Sequence, residues 1–107
     1  MFTDSNIELQ GALLLKNKIF LDKRGFFKES WNEKYFNTIV GIDQNFVQDN
    51  HSFSIKGVIR GMHYQKKPHE EIKIVQCIKG EVIDIIFDLR KNSRSFMATY
   101  SRKLSEK

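Results

Sequence analysis

An arginine and a histidine close a short apolar run in Gly57-Val58-Ile59-Arg60-Gly61-Met62-His63-Tyr64-Gln65. A guanidinium presents a rigid fork of donors that matches phosphate oxygens. An imidazole is the side chain suited to moving a proton near neutral pH. Arg60 and His63 are an odd number of residues apart, so an ideal strand would send them to opposite faces. A bulge at Gly61 is therefore required to aim both at one pocket. Read by themselves, these residues fit a proton-transfer site with an anion clamp, and equally a structural histidine beside a surface cation.

The bulk properties narrow the partners. A chain of 107 residues fits one small domain, residues 1–107. Its net charge of +5 is dispersed, which fits a solubilising lysine-rich surface or a bias toward an anionic ligand such as a phosphate ester. No basic recognition motif points to nucleic acid. Cys77 is the single cysteine, so no internal disulfide is available, and its apolar run Ile74-Val75-Gln76-Cys77-Ile78 makes it a buried packing residue in a reducing compartment. Ala12-Leu13-Leu14-Leu15 is too short to span a bilayer and follows no basic leader, which leaves a soluble cytoplasmic protein with no membrane partner.

The elements that must position the candidate residues read mostly as strands. Ile7 to Phe20 gives one or two, Asp22-Lys23-Arg24-Gly25 is a turn, and Phe26 to Trp31 a further strand. Trp31, Tyr35, Phe36 and Ile39 fall at helical spacing and Gly41 ends that helix. Strands are expected over Asn45 to Ser54, Val58 to Tyr64 and Ile72 to Ile78. The last of these, with the Lys79-Gly80 turn and Glu81 to Asp88, reads as a hairpin. Arg90 to Arg94 is a loop and Ser95 to Leu104 the last strand. Short strands at regular spacing predict an all-β sandwich or barrel. About seven strands is a thin complement for a jelly roll of about eight, so the expectation is an incomplete barrel or one whose edges a partner chain covers.

Five ordered blocks give a closer reading. Asp22, Arg24, Gly25, Phe27 and Glu29 come first, then Phe46, Gln48, Asp49, Asn50, Ser52 and Ser54, then Gly57 through Gln65. Lys73-Ile74-Val75 follows, and last Gly80, Val82 and Asp84 with Asp88-Leu89-Arg90. In order and spacing they resemble the N-terminal portion of the dTDP-4-dehydrorhamnose 3,5-epimerases. The resemblance implies a cupin-type double-stranded β-helix (jelly roll), here incomplete and with one short helix. It also implies an isomerase acting on a dTDP-linked 4-keto-6-deoxyhexose in deoxysugar and rhamnose biosynthesis, of the kind that supplies lipopolysaccharide, and working as a homodimer without a cofactor. His63 then matches the general base that removes the C3 and C5 protons, and Lys73 the cation that stabilises the resulting enolate. Arg60 faces the diphosphate or sugar, Gln48 and Asn50 make further substrate contacts, and Arg24, Phe27 and Glu29 bind the nucleotide, often across the dimer. Asp84 either helps orient the site or is a capped or paired turn carboxylate.

Three departures bear on the expectation. Metal cupins carry His-x-His and then Glu, whereas Gln65 stands at the second position here, so no metal is expected even with Glu70 nearby; a His51/His63/His69 cluster is the alternative. The family pattern has a neutral residue where this chain has Glu71, an acid that either pairs with Lys73 or disfavours an anionic ligand. The family's Ile-Pro-x-Gly-x-Ala-His-Gly-Phe strand, its proton-returning tyrosine and the aspartate that pairs with the base have no match in this sequence, and Tyr100 does not stand in that tyrosine's context. A base without an opposite-face acid exchanges a proton but does not readily invert a centre. The alternatives are a non-catalytic sugar-nucleotide-binding cupin and a ketoisomerase, the latter disfavoured by Gln65.

Overall fold

The computed structural model describes residues 2–41 and 43–107, with side chains from residue 7 onward. Six strands and one helix are present among them: β1 (Phe2–Asn6), β2 (Leu13–Asn17), β3 (Ile19–Asp22), β4 (Gly25–Lys28), α1 (Glu33–Val40), β5 (Glu81–Phe87) and β6 (Thr99–Ser105). They form three antiparallel pairs, β1 with β2, β3 with β4 and β5 with β6. The chain divides into two compact units, one made of residues 1–44 and 76–107 and the other of residues 45–75. All of the regular structure lies in the first.

Local chemistry explains most of that unit. The expected turn at Asp22 to Gly25 joins β3 and β4 in the register Asp22↔Gly25 to Ile19↔Lys28. Gly25 takes φ 135, a conformation that residues with a Cβ rarely adopt. Helix α1 starts at Asn32, whose extended backbone and side-chain oxygen cap the Tyr35 N–H at 3.1 Å. It stops at Gly41, left-handed at φ 72, which donates its N–H to the Asn37 carbonyl at 3.0 Å. The helix buries Phe36, which packs on the Trp31 ring at 5.0 Å between centroids. The buried apolar side chains of the described residues are Leu9, Phe36 and Cys77; the thiol was expected to be buried and donates to the Lys79 carbonyl at 3.3 Å.

Several expected strands differ from the structure. The hairpin expected between Ile72–Ile78 and Glu81–Asp88 is not formed, and β5 pairs instead with β6, from Glu81↔Ser105 to Phe87↔Thr99. The reason lies in the loop between them. Asp88 donates its N–H to the Ala98 carbonyl at 3.0 Å and accepts the Met97 N–H at 2.8 Å, which continues the ladder one step past Phe87. Its buried carboxylate accepts from Arg90 Nε at 2.9 Å, Ser93 Oγ at 2.5 Å and Ser95 Oγ at 2.6 Å. These bonds fold residues 88–98 back on themselves and deliver β6 to β5. The strands expected at Asn45–Ser54 and Val58–Tyr64 are also not formed. A strand exists only where a neighbour supplies a ladder, and residues 45–75 have none among the described residues. The turns expected there do form, at Ile55–Val58 with Gly57 at φ 88 and at Lys66–His69.

Candidate functional site

The segment from Asn45 to Val75 carries Gln48, Asn50, Arg60, His63 and Lys73, and short-range side-chain interactions link all of these but His63 to near neighbours. Gly61 takes φ 98, a left-handed backbone that a residue without a Cβ adopts readily. The His63 ring lies over it: a Cβ built at Gly61 would stand 3.6 Å from His63 Nδ1 and 3.7 Å from Cε1. Arg60 turns back along its own segment, donating from Nε to Ser54 Oγ at 2.8 Å and from Nη2 to the Phe53 carbonyl at 3.1 Å. A guanidinium held this way keeps its remaining N–H donors for an anion. Gln48 donates from Nε2 to Asn50 Oδ1 at 3.1 Å, so these two polar side chains form one patch. Lys73 Nζ lies 3.5 Å from Glu71 Oε2, the pairing that the sequence left as one of two alternatives.

The other candidates belong to the unit of residues 1–44 and 76–107. Arg24 projects from the β3–β4 turn and is held by Asp22, at 3.1 Å from Nε and 2.6 Å from Nη2, while its backbone N–H reaches Asp22 Oδ1 at 2.7 Å. The Arg24 guanidinium and then its N–H hold the Asp22 carboxyl below its usual range. Phe27 is exposed on β4 beside Phe20, at 6.4 Å between ring centroids. Glu29 is half-buried, and its carbonyl accepts from the Asn17 amide at 2.5 Å. Asp84 sits mid-strand in β5 opposite Arg102, not in a turn, so the turn-carboxylate alternative does not describe it.

A cleft of about 370 Å³ is lined by Phe26, Phe27, Lys28, Ser30, Gln76, Ile78 and Glu106. Lys28 donates to the Glu106 carbonyl at 2.8 Å and lies 5.9 Å from the centroid of the Phe26 ring. An aromatic floor with a cation at its edge suits a planar ring joined to an anionic group. Of these, only Phe27 is expected from the sequence; Phe26, Lys28 and Ser30 are brought to it by the fold. The signal that could have found them is the cation next to two consecutive phenylalanines.

The most strongly shifted carboxyl among the described residues is that of Asp88. Arg90 first, then Ser93 and Ser95, hold the Asp88 carboxyl far below the ordinary carboxylate range, and Asp88 in turn raises Arg90. Arg90 also donates to the Gln10 carbonyl, and Gln10 answers through its side chain to the Arg94 N–H at 2.8 Å. Every partner is internal, which makes this a structural tie. Among the described residues no group of three or more His, Cys, Asp or Glu side chains is placed to hold a metal ion, so the alternative His51/His63/His69 cluster does not assemble. No helix of the described residues is long and apolar enough to cross a membrane.

Comparison with known proteins places this geometry in context. Residues 6–107 match the family model described as dTDP-4-dehydrorhamnose 3,5-epimerase. A protein of that name from Shigella flexneri is 51% identical over 89 residues, covering 83% of this chain and 49% of the relative. One from Methanothermobacter thermautotrophicus is 40% identical over 98 residues, covering 92% and 52%. The chain thus spans about half the length of the curated relatives it matches. Among solved structures, the Bacillus anthracis dTDP-4-dehydrorhamnose 3,5-epimerase with TDP and PPi bound superposes with a TM-score of 0.92 at 40% identity, covering 99% of this chain and 61% of that one. The Legionella pneumophila dTDP-6-deoxy-D-glucose-3,5-epimerase in complex with dTDP-4-keto-L-rhamnose gives 0.92 at 38% identity, covering 99% and 56%. The strands and single short helix are accordingly those of an incomplete cupin jelly roll.

Proposed function

The chain belongs to the dTDP-4-dehydrorhamnose 3,5-epimerase family, and from that premise we propose that it carries the proton-abstracting part of a sugar-nucleotide epimerase site. The substrate is a dTDP-linked 4-keto-6-deoxyhexose. The His63 imidazole takes the proton from C3 or C5, the carbon–hydrogen pair moves toward the C4 ketone, and the Lys73 ammonium stabilises the oxygen that becomes anionic. Arg60, its Nε and Nη2 anchored on Ser54 and Phe53, faces the diphosphate or sugar, and Gln48 and Asn50 contact the sugar. Arg24, Phe27 and Glu29 bind the nucleotide and Asp84 supports the site. Residues 1–107 act as a single cupin-like domain in a cytoplasmic homodimer that serves deoxysugar synthesis.

The observation that carries this reading is the Legionella pneumophila structure, which holds a 4-keto sugar nucleotide and superposes on 99% of this chain. The test is incubation with dTDP-4-keto-6-deoxyglucose in deuterated water. Label is expected at C3 or C5, and His63→Asn should lower its rate by about a hundredfold or more while leaving dTDP binding intact. Saturable binding with no label would instead assign a non-catalytic sugar-nucleotide-binding cupin.

A further inference from the structure

One carboxylate joins the histidine segment to the candidate enolate-stabilising lysine. Glu71 Oε2 lies 3.5 Å from Lys73 Nζ. With the Gln65 amide turned so that its nitrogen faces the acid, that nitrogen donates to Glu71 Oε1 at 2.7 Å and Oε2 at 2.8 Å. Gln65 follows His63 by two residues, and Lys73 follows Glu71 by two. Residues 45–75 have no strand ladder among the described residues, and these side-chain interactions link the two segments.

We propose that Glu71 is a positioning residue that holds Gln65 and Lys73 on one carboxylate and restrains the lysine charge until the substrate oxygen competes for it. The inference rests on the epimerase reading above. As the carbon–hydrogen bond breaks and its electron pair reaches the C4 oxygen, the ammonium comes to be shared between two anions. A carboxylate already in contact with it lowers what the ammonium can give to the enolate. Both side chains of the pair are about half exposed, so water screens the effect and holds it to a modest size. The geometric role is separable from the charge. Glu71→Gln retains an acceptor oxygen for the Gln65 amide and removes the charge, whereas Glu71→Ala removes both.

The experiment measures deuterium incorporation at C3 and C5, dTDP affinity, and the side-chain amide resonance of Gln65 in the whole 107-residue chain. Glu71→Gln should label about threefold to fivefold faster than the parent protein. Glu71→Ala should label about tenfold slower, because the two segments lose their tie. The dTDP dissociation constant should stay within about twofold in both. The Gln65 amide resonance should move in Glu71→Ala and in Lys73→Met. Equal labelling by the parent and both variants, a slower Glu71→Gln, or a Gln65 resonance indifferent to Glu71→Ala would overturn the proposal and leave the epimerase reading standing. Absence of label from the parent chain would remove the epimerase reading, and this inference with it.

Discussion

The stretch from Glu81 to Ser105 and the stretch from Asn45 to Val75 both carry apolar residues in strand-like patterns, yet the first forms a seven-rung ladder and the second forms none among the described residues. The difference lies in what joins the segments. Between β5 and β6 the buried Asp88 gathers Arg90, Ser93 and Ser95 and closes the loop through backbone bonds to Met97 and Ala98. Between Asn45 and Val75 the turns at Ile55–Val58 and Lys66–His69 each rest on one backbone bond. Alternation therefore makes a residue run competent for a sheet, and a turn that stores several cooperating bonds decides whether that sheet forms locally. The candidate chemistry is distributed the opposite way. His63, Lys73, Arg60, Gln48 and Asn50 lie in the stretch without a ladder, where short-range side-chain interactions tie Lys73, Arg60, Gln48 and Asn50 to their neighbours.

The contrast can be broken most directly at Asp88. Asp88→Ala leaves Arg90 and two serines without their shared acceptor, and it should cause the largest loss of thermal stability of any single change considered, read by circular dichroism. The same group sets a pH dependence. Its folded carboxyl is depressed below the ordinary value of about 3.9, so its contribution is fully present above that value and is lost as pH falls toward the folded one. Acid unfolding of the parent chain should steepen below about pH 4, and Asp88→Asn should flatten that limb. A smaller loss, about 3 kcal/mol or more in urea unfolding, is expected for Phe36→Ala, which empties a buried aromatic site under α1. Asn32→Ala should cost about 1 kcal/mol through the lost helix cap. Least of all, Arg60→Ala should change unfolding by no more than about 0.5 kcal/mol, because its partners are exposed, while weakening dTDP binding. A large destabilisation by Arg60→Ala would erase the distinction between the two stretches. Amide hydrogen exchange would sharpen it, with protection expected through β5 and β6 and little through Val58–Tyr64.

The helix shows how much local sequence can settle. The spacing of Trp31, Tyr35, Phe36 and Ile39 and Gly41 at its end were sufficient to place it, since helical periodicity and C-terminal glycines act within a few residues, while the cap at Asn32 came from the structure. The Asp22–Gly25 turn and the buried Cys77 were legible for the same reason. The hairpin was not. Lys79-Gly80 is a plausible two-residue turn, and nothing within ten residues of it reports that Ser93 and Ser95 will converge on Asp88. For the site, the sequence singled out Arg60, His63 and Lys73 and asked for a bulge at Gly61, where the backbone is left-handed at φ 98. It could not rank pairing against repulsion at Glu71, because that depends on where a lysine head falls relative to a loop carboxylate.

By itself, then, the sequence determined the residue types of the chemistry, the family that their order belongs to and the elements governed by nearest neighbours. Tertiary structure alone decided which strands pair, that Asp88 is a buried tie, that Phe26, Lys28 and Ser30 join Phe27 around one cleft, and that Glu71 pairs with Lys73. The physical reason is range. Caps, turns and side-chain alternation are set by bonds between residues a few positions apart. Ladders, clefts and shared carboxylates depend on distances between segments that only the folded chain brings within a hydrogen bond of each other.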